Sequence, residues 1–154
     1  MEDNKKKNYL TTNFGFTLFE LLVSISIIGI LLSMGAVSFT TAQKKGRDSR
    51  RKGDIKAIQN GMEQCYALAS TYPTTLTFGT GSLTCPDTGA TKTIALLPQD
   101  PKNDTTNGYV YTLTGPTTSI YCICAKMESE EGNASDTSCT WAEGGGYFCI
   151  QNLQ

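Results

Sequence analysis

The sequence predicts an α+β protein, in which a long N-terminal hydrophobic helix packs on a small antiparallel β-sheet with disulfide-linked C-terminal loops. Three observations predict this class. An apolar run over residues 16–39 is long enough for a membrane-spanning helix, which needs roughly 20 residues. Apolar residues then recur at helical spacing up to about residue 70. The rest of the chain is rich in Thr, Gly and Ser and contains short β-forming segments.

The helix is predicted to continue without a break from about residue 17 to residue 70. Ile55, Ile58 and Met62 place one apolar stripe on its second half, and this stripe must pack on the C-terminal domain. Pro73 stops the helix, because a proline disfavours helical geometry in the residue before it. The predicted organisation is a leader over residues 1–15, a membrane-spanning helix over 16–39, an amphipathic continuation over 40–70 and a β-rich head domain over 71–154.

Short β-forming segments follow the helix, and turn-forming residues separate them. Residues 100–108 and 128–146 read as loops. The predicted strands are Thr75–Phe78, Lys92–Leu97, Tyr109–Leu113, Ser119–Lys126 and Tyr147–Gln151.

All six cysteines follow the apolar run, and an even number in a modest domain is typical of disulfides in an oxidising compartment. Cys122 and Cys124 share a face if they lie on a strand, so each is expected to bond elsewhere. The alternative is a metal site, which the lack of histidine and of a C-x-x-C pair disfavours. The spacing leaves the pairing open. The candidates are Cys65, Cys85, Cys122, Cys124, Cys139 and Cys149.

The net charge of −1 conceals a basic segment on each side of the apolar run and an acidic C-terminal part. This acidic part argues against nucleic acid as a partner. The chain has no histidine and none of the common catalytic motifs, so we do not expect an enzyme. The second basic segment, residues 44–56, is either a solvated helix face partnered by Asp48 and Asp54 or a contact surface for lipid headgroups or acidic domains of neighbouring chains.

Glu20 is the one charge inside the apolar run. A carboxylate at hydrocarbon depth costs roughly 2.5–3.5 kcal/mol on insertion scales. The run has no Lys, Arg or His, so the sequence predicts that Glu20 finds its partner outside this segment.

The start of the apolar run resembles the N-terminal signal of the type IV pilin and type II secretion pseudopilin family. The matching residues are Gly15 and the segment Phe16–Glu20, followed by the apolar stretch. In that family a prepilin peptidase cuts after the glycine, and the new N-terminal phenylalanine is methylated. The resemblance implies the pilin fold, cleavage between Gly15 and Phe16, methylation of Phe16 and an assembly role for Glu20. The new ammonium at Phe16 would lie about one helical turn from Glu20 and could supply the missing cation, within one chain or between neighbours.

The resemblance also implies a function, a set of partners and a location. The function is that of a structural subunit of a type IV pilus-like filament, made as a prepilin and assembled through its hydrophobic helix. The implied partners are further copies of the chain, minor pilins, the prepilin peptidase, the assembly ATPase, the inner-membrane platform and membrane lipid. The implied location is the cytoplasmic membrane, crossed once with the head domain outside, and then an extracellular or periplasmic filament.

Several alternatives remain open. Within the family, the alternative is a pseudopilin of a type II secretion or competence (DNA uptake) system. From another class, it is a membrane-anchored disulfide-rich binding domain that forms no filament. Residues 1–38 also fit a secretory signal, although its charge and length are unusual, and a plain single-span anchor leaves Glu20 unexplained. The basic segment after the span predicts the opposite orientation, and we give the cysteines and the leader motif more weight.

A fainter resemblance concerns a loop of the head domain. Residues 97–101 and 108–111 look like the loop region of major pseudopilins, with Lys102 in place of the family's tryptophan. Members of the family often bind calcium near such loops, and we expect no other cofactor. A turn built on Asx side chains explains the same residues. The hard oxygen ligands on offer are Asp100, Asn103, Asp104 and Asn107.

Overall fold

The chain forms two compact units, Met1–Phe39 and Thr40–Gln154. The structure, a computed structural model, describes residues 15–86, 92–94, 96–129 and 131–154, apart from the side chains of Val37 and Lys92. Except for Gly15, the predicted leader therefore lies outside the described residues. Helix α1, Leu18–Ala69, supplies the described helical part of the first unit and continues into the second.

No described residue covers the apolar side chains of the first unit. Every side chain described between residues 15 and 39 is exposed, and an 18-residue window of α1 has a mean hydropathy of 2.3. Three serine hydroxyls in this segment donate to the helix backbone: Ser24 to the Glu20 carbonyl at 2.8 Å, Ser26 to the Leu22 carbonyl at 2.8 Å and Ser33 to the Ile30 carbonyl at 2.7 Å. This part of α1 is thus long and apolar enough to cross a membrane, and these three hydroxyls are satisfied within the helix.

Helix α1 ends in a left-handed residue. Ser70 has a φ of 54°, and its N–H donates to the Tyr66 carbonyl at 2.7 Å. The left-handed position after a helix usually belongs to glycine. Pro73 follows and cannot continue the helix, so α1 ends close to the predicted position.

The head domain, the part of the second unit that follows α1, contains two antiparallel sheets. The smaller sheet pairs β1 with β2. The larger sheet has the spatial order β3-β4-β7-β5-β6. The strands are β1 Leu83–Thr84, β2 Lys92–Ile94, β3 Thr112–Thr114, β4 Cys122–Lys126, β5 Gly132–Ala134, β6 Trp141–Gly145 and β7 Tyr147–Gln151.

Strand β4 separates the core into two layers because its side chains alternate between the faces of the sheet. Ile123 and Ala125 join the cluster that contains the helix stripe, whereas Cys122 and Cys124 join a second cluster with Cys149. The stripe on α1 is fully buried, as its spacing predicts, and consists of Ile55, Ile58, Met62 and Cys65.

Three disulfides cross-link the chain, each within one of these two layers. Cys65 on α1 bonds to Cys85 beside β1, which links the helix to the smaller sheet. The other two lie in the second layer of the larger sheet and join Cys122 to Cys139 and Cys124 to Cys149. The predicted fold class, a long apolar helix packed on an antiparallel sheet with disulfide-linked loops, is confirmed.

Several details of the sequence-based description of the head domain are wrong. Thr75–Phe78 forms no strand, β1 was not predicted, and the strand predicted from Tyr109 begins only at Thr112, as β3. The segment predicted as a loop over residues 128–146 contains β5 and β6. Glycine has a low β propensity, but the pairing of β5, β6 and β7 requires glycine at two positions. A Cβ on Gly132 would overlap the Tyr147 carbonyl, and one on Gly145 would overlap the Ala134 carbonyl. Glycine thus permits the close approach of these strands.

Candidate processing and assembly site

The peptide bond between Gly15 and Phe16 lies immediately before helix α1. Residues 15–17 are not helical, and a Cβ built on Gly15 would meet nothing within 4 Å. The Phe16 side chain is 87% exposed. Among the described residues, none packs against Gly15 or covers the Phe16 side chain, so this bond is accessible.

Thr17 and Glu20 form a reciprocal pair of hydrogen bonds that starts helix α1. The Thr17 N–H donates to Glu20 Oε2 at 2.9 Å, and the Glu20 N–H donates to Thr17 Oγ1 at 3.2 Å. The Thr17 hydroxyl also donates to Glu20 Oε2, at 2.8 Å. This is a capping box, in which the first residue before the helix and the third residue inside it satisfy each other's backbone N–H groups. A carboxylate at a helix N-terminus is also favoured by the helix dipole.

The capping box corrects the expectation that Glu20 has no partner within its own segment. Both hydrogen bonds that the carboxylate accepts come from Thr17, and both use Oε2. No described residue donates to Oε1, so that oxygen is the one left for a further donor. The spacing Thr17-x-x-Glu20 ahead of an apolar run is the usual sequence signature of a capping box, and a search for cations alone overlooks it.

A comparison with protein families identifies this segment. Residues 11–36 match the model described as the prokaryotic N-terminal methylation motif. The chain carries the signal of type IV pilins and pseudopilins. The searches of curated proteins and of solved structures found no significant match. The matched residues include Gly15, Phe16 and Glu20, so the chain carries a pilin-type precursor signal that includes the start of an apolar helix suited to membrane anchoring.

A buried arginine joins the head domain to α1. The Arg51 side chain is fully buried. Its guanidinium donates to Asp100 at 2.7 and 3.0 Å, to Asp48 at 2.7 Å and to Glu128 at 2.8 Å. Two further cations, Arg47 at 2.7 Å and Lys102 at 3.0 Å, contact Glu128. We refer to Asp48, Arg51, Asp100 and Glu128 as the Arg51 cluster.

The Arg51 cluster shifts the acidity of its carboxyl groups. Hydrogen bonds from Arg47 hold the pKa of Glu128 far below its usual range, and Arg51 and Lys102 add to this against the effect of burial. Burial raises the pKa of Asp48, but hydrogen bonds from Ser129, from the Glu128 N–H and from Arg51 together hold it below its usual value. Both carboxylates are therefore stabilised in their charged form.

A second carboxylate on α1 organises the other end of the head. Glu63 accepts the hydroxyls of Tyr72 and Tyr121, each at 2.9 Å, and the N–H of Leu153 at 3.2 Å. Burial raises the pKa of both tyrosines well above the usual value, and the bonds to Glu63 raise it further. These contacts were not predicted from the sequence, because Tyr121 and Leu153 lie 58 and 90 residues from Glu63 along the chain.

The basic segment over residues 44–56 has a mixed role. Arg47 and Arg51 point into the head, whereas Arg50 is 65% exposed and lies 3.7 Å from Asp54. Lys45 pairs with Glu131 at 2.9 Å on the surface. Arg51 lies four residues before Ile55, on the buried stripe, and this spacing was the sequence signal for its burial.

In the loop predicted to bind calcium, the carboxylate oxygens accept hydrogen bonds from neighbouring residues. Both Asp100 oxygens accept from Arg51, and Oδ1 also accepts the Lys102 N–H at 2.8 Å. Asp104 Oδ1 and Oδ2 accept the backbone and side-chain N–H groups of Asn107, at 3.1 and 2.6 Å. Asn103 adopts a left-handed φ of 47°. Asp100 therefore serves the Arg51 cluster, Asp104 and Asn107 form an Asx-type turn, and calcium binding stays a prediction.

Proposed function

We propose that the chain is a structural subunit of a type IV pilus-like filament, made as a prepilin, cleaved between Gly15 and Phe16 and methylated at Phe16. The observation that carries this proposal is the position of the family match. Residues 11–36 contain the cleavage bond, and the apolar helix that follows has no protein cover in the described part of the chain. A helix that is apolar all round needs lipid or other helices around it.

Cleavage would create the cation that the apolar segment lacks. The new ammonium at Phe16 lies four positions before Glu20, about one helical turn. The capping box holds the Glu20 carboxylate at the start of the helix through Oε2 and leaves Oε1 for the ammonium, in the same chain or in a neighbour. A carboxylate held in lipid is stabilised when it is neutralised, so this pairing favours one docking register between subunits.

Two kinds of contact would then drive assembly: burial of the apolar helix, and contacts between unlike surfaces of neighbouring chains. Keeping each large apolar side chain of the first unit away from water is worth roughly 1.5–3 kcal/mol, which favours lipid around the helix before assembly and a helical bundle at the filament centre after it. Contacts between unlike surfaces propagate as a filament when their rotation does not close into a ring. The proposed partners are further copies of the chain, minor pilins, the prepilin peptidase, the assembly ATPase and its inner-membrane platform. The head, with its disulfides, is proposed to lie outside the cytoplasmic membrane.

A pseudopilin of a secretion or competence system is the second candidate. The loop from Leu97 to Pro101 favours it, because this segment and the Gly108–Tyr111 segment look like the loop region of major pseudopilins. Both candidates share the processing chemistry and differ in the machinery that assembles the filament. Deleting each assembly system in the native host tests the choice, since the filament depends on its own platform alone.

The N-terminus of the mature protein tests the proposal. Mass spectrometry is expected to find N-methylated Phe16, and an N-terminus at Phe39 or an intact Met1 would refute it. Glu20→Ala is expected to enter the membrane and to be cleaved, but to give few filaments. Ser26→Ala is the matched control, because it removes a polar group from the same helix that bonds only to the Leu22 carbonyl. Equal filament yields from the two variants would contradict the role of Glu20.

A further inference from the structure

Four sulfur atoms lie together on the face of the larger sheet that points away from α1. They belong to Cys122, Cys124, Cys139 and Cys149, and all lie within 4.8 Å of one another. The Sγ atoms of Cys122 and Cys124, which belong to different disulfides, are 3.5 Å apart. We refer to these residues as the four-cysteine cluster.

We propose that the four-cysteine cluster becomes a tetrahedral Zn²⁺ site when its two disulfides are reduced. Zinc–thiolate bonds of about 2.3 Å place the sulfurs of a tetrahedral site about 3.8 Å apart. The sulfurs are already grouped on that scale, so the bonded pairs need only separate within the cluster. Four thiolates complete the coordination of a structural zinc without histidine. This inference is independent of filament formation.

Hydrogen bonds that do not involve the disulfides hold the four positions. Cys122 and Cys124 are on β4, and Cys149 is directly opposite Cys124 on β7. Cys139 lies in a turn that Asp136 holds through its bonds to the Ser138 and Thr140 N–H groups, at 2.8 and 3.4 Å. Reduction therefore leaves the sheet register and this turn in place.

The four sulfurs would enclose a bound ion on all sides except that of Cys139, where the ion could enter. Cys124 and Cys149 are fully buried and Cys122 is 8% exposed, whereas Cys139 is half-buried. In the reduced, metal-free chain, the Cys122 thiol can donate to the Thr137 carbonyl at 3.6 Å and the Cys149 thiol to the Asp136 carbonyl at 3.4 Å. These contacts keep the thiols near the centre of the cluster.

An external thiol or phosphine reduces the two disulfides and is itself oxidised. Each disulfide takes up two electrons and two protons and becomes two thiols. Zinc then displaces the four thiol protons and forms four Zn–S bonds, so acid weakens binding. An external disulfide oxidant, which takes up the two electrons released at each bond, returns the same residues to two disulfides and releases the ion.

The test uses the full-length chain in detergent, reduced with a phosphine under nitrogen and titrated with Zn²⁺ alone. We expect one tightly bound zinc per reduced chain and none per oxidised chain, measured by elemental analysis after desalting. Cobalt in place of zinc is expected to give the visible absorption of a tetrahedral thiolate site. Cys139→Ser and Cys149→Ser are each expected to weaken binding by roughly tenfold or more.

The matched control is the double variant Cys65→Ser/Cys85→Ser, which removes the disulfide outside the cluster and is expected to keep the site. Zinc loss in this control would overturn the proposal. So would equal affinity in the reduced native chain and the urea-unfolded chain, because the sheet would then not be building the site. Circular dichroism of each reduced variant shows whether its head is folded, and binding by folded Cys139→Ser as tight as native would likewise refute the assignment.

Discussion

Replacing Arg51 by methionine removes the cation that holds three carboxylates. Glu128 keeps Arg47 and Lys102, and Asp48 keeps Ser129 and backbone N–H groups. Asp100 loses both guanidinium bonds and retains the Lys102 N–H, although its side chain has no exposure to water. Removing one partner of a buried ion pair costs about 3–5 kcal/mol. This is a large part of the 5–15 kcal/mol that typically stabilises a domain, so we expect Arg51→Met to lower the melting temperature by roughly 10 °C or more.

The assay is thermal and urea unfolding of the full-length chain in detergent, followed by the fluorescence of Trp141, the single tryptophan. Arg50→Met is the matched control, because Arg50 is 65% exposed and its variant should change stability by less than about 0.5 kcal/mol. The double variant Arg51→Met/Asp100→Asn should lose less stability than the sum of the losses in its single variants, since it also removes the unpaired buried charge of Asp100. A cost for Arg51→Met as small as that of Arg50→Met would refute this account of the Arg51 cluster.

Three further predictions concern pH, the helix start and calcium. Because the pKa values of Glu128 and Asp48 are lowered by folding, both carboxylates stabilise the head fully above their unfolded-state pKa values, and this stability is lost as the pH falls below about 4.5. The melting temperature of Glu128→Gln should therefore fall less steeply with acid than that of the native chain, and an unchanged profile would contradict this. Thr17→Ala should destabilise the start of α1 by about 1 kcal/mol and reduce filament yield, whereas Thr17→Ser should not; equal yields by electron microscopy would count against the capping box. Because Asp100 is engaged by Arg51, calcium should raise the melting temperature by less than about 1 °C over a chelator control; a larger rise that Asp104→Ala abolishes would establish a calcium site.

The sequence predicted those features that depend on local spacing. The stripe from Ile55 to Cys65 repeats at the period of a helix, so its burial follows from the pattern. The alternation along β4 likewise placed Cys122 and Cys124 on one face, where both bond to other cysteines. The capping box at Thr17 was also visible in the sequence, as a threonine three residues before a glutamate.

Features that depend on distant partners were not predictable in this way. Arg51 bonds to Asp100 and Glu128, which are 49 and 77 residues away, and no spacing rule connects them. Strands β5 and β6 are built from residues with low β propensity and exist because β7 pairs with β5 at close range. Tertiary context overrides local preference at both places.

The central place of β7 constrains when the head can fold. It is the last strand in chain order, yet it lies between β4 and β5 in the larger sheet. Neither neighbour is completed on its β7 side until Tyr147–Gln151 has been synthesised. The Cys65–Cys85 bond can form before that moment, whereas Cys124 must wait for Cys149. A head whose synthesis stops before β7 would therefore remain open and reduced at Cys124, so thiol labelling of Cys124 follows its maturation.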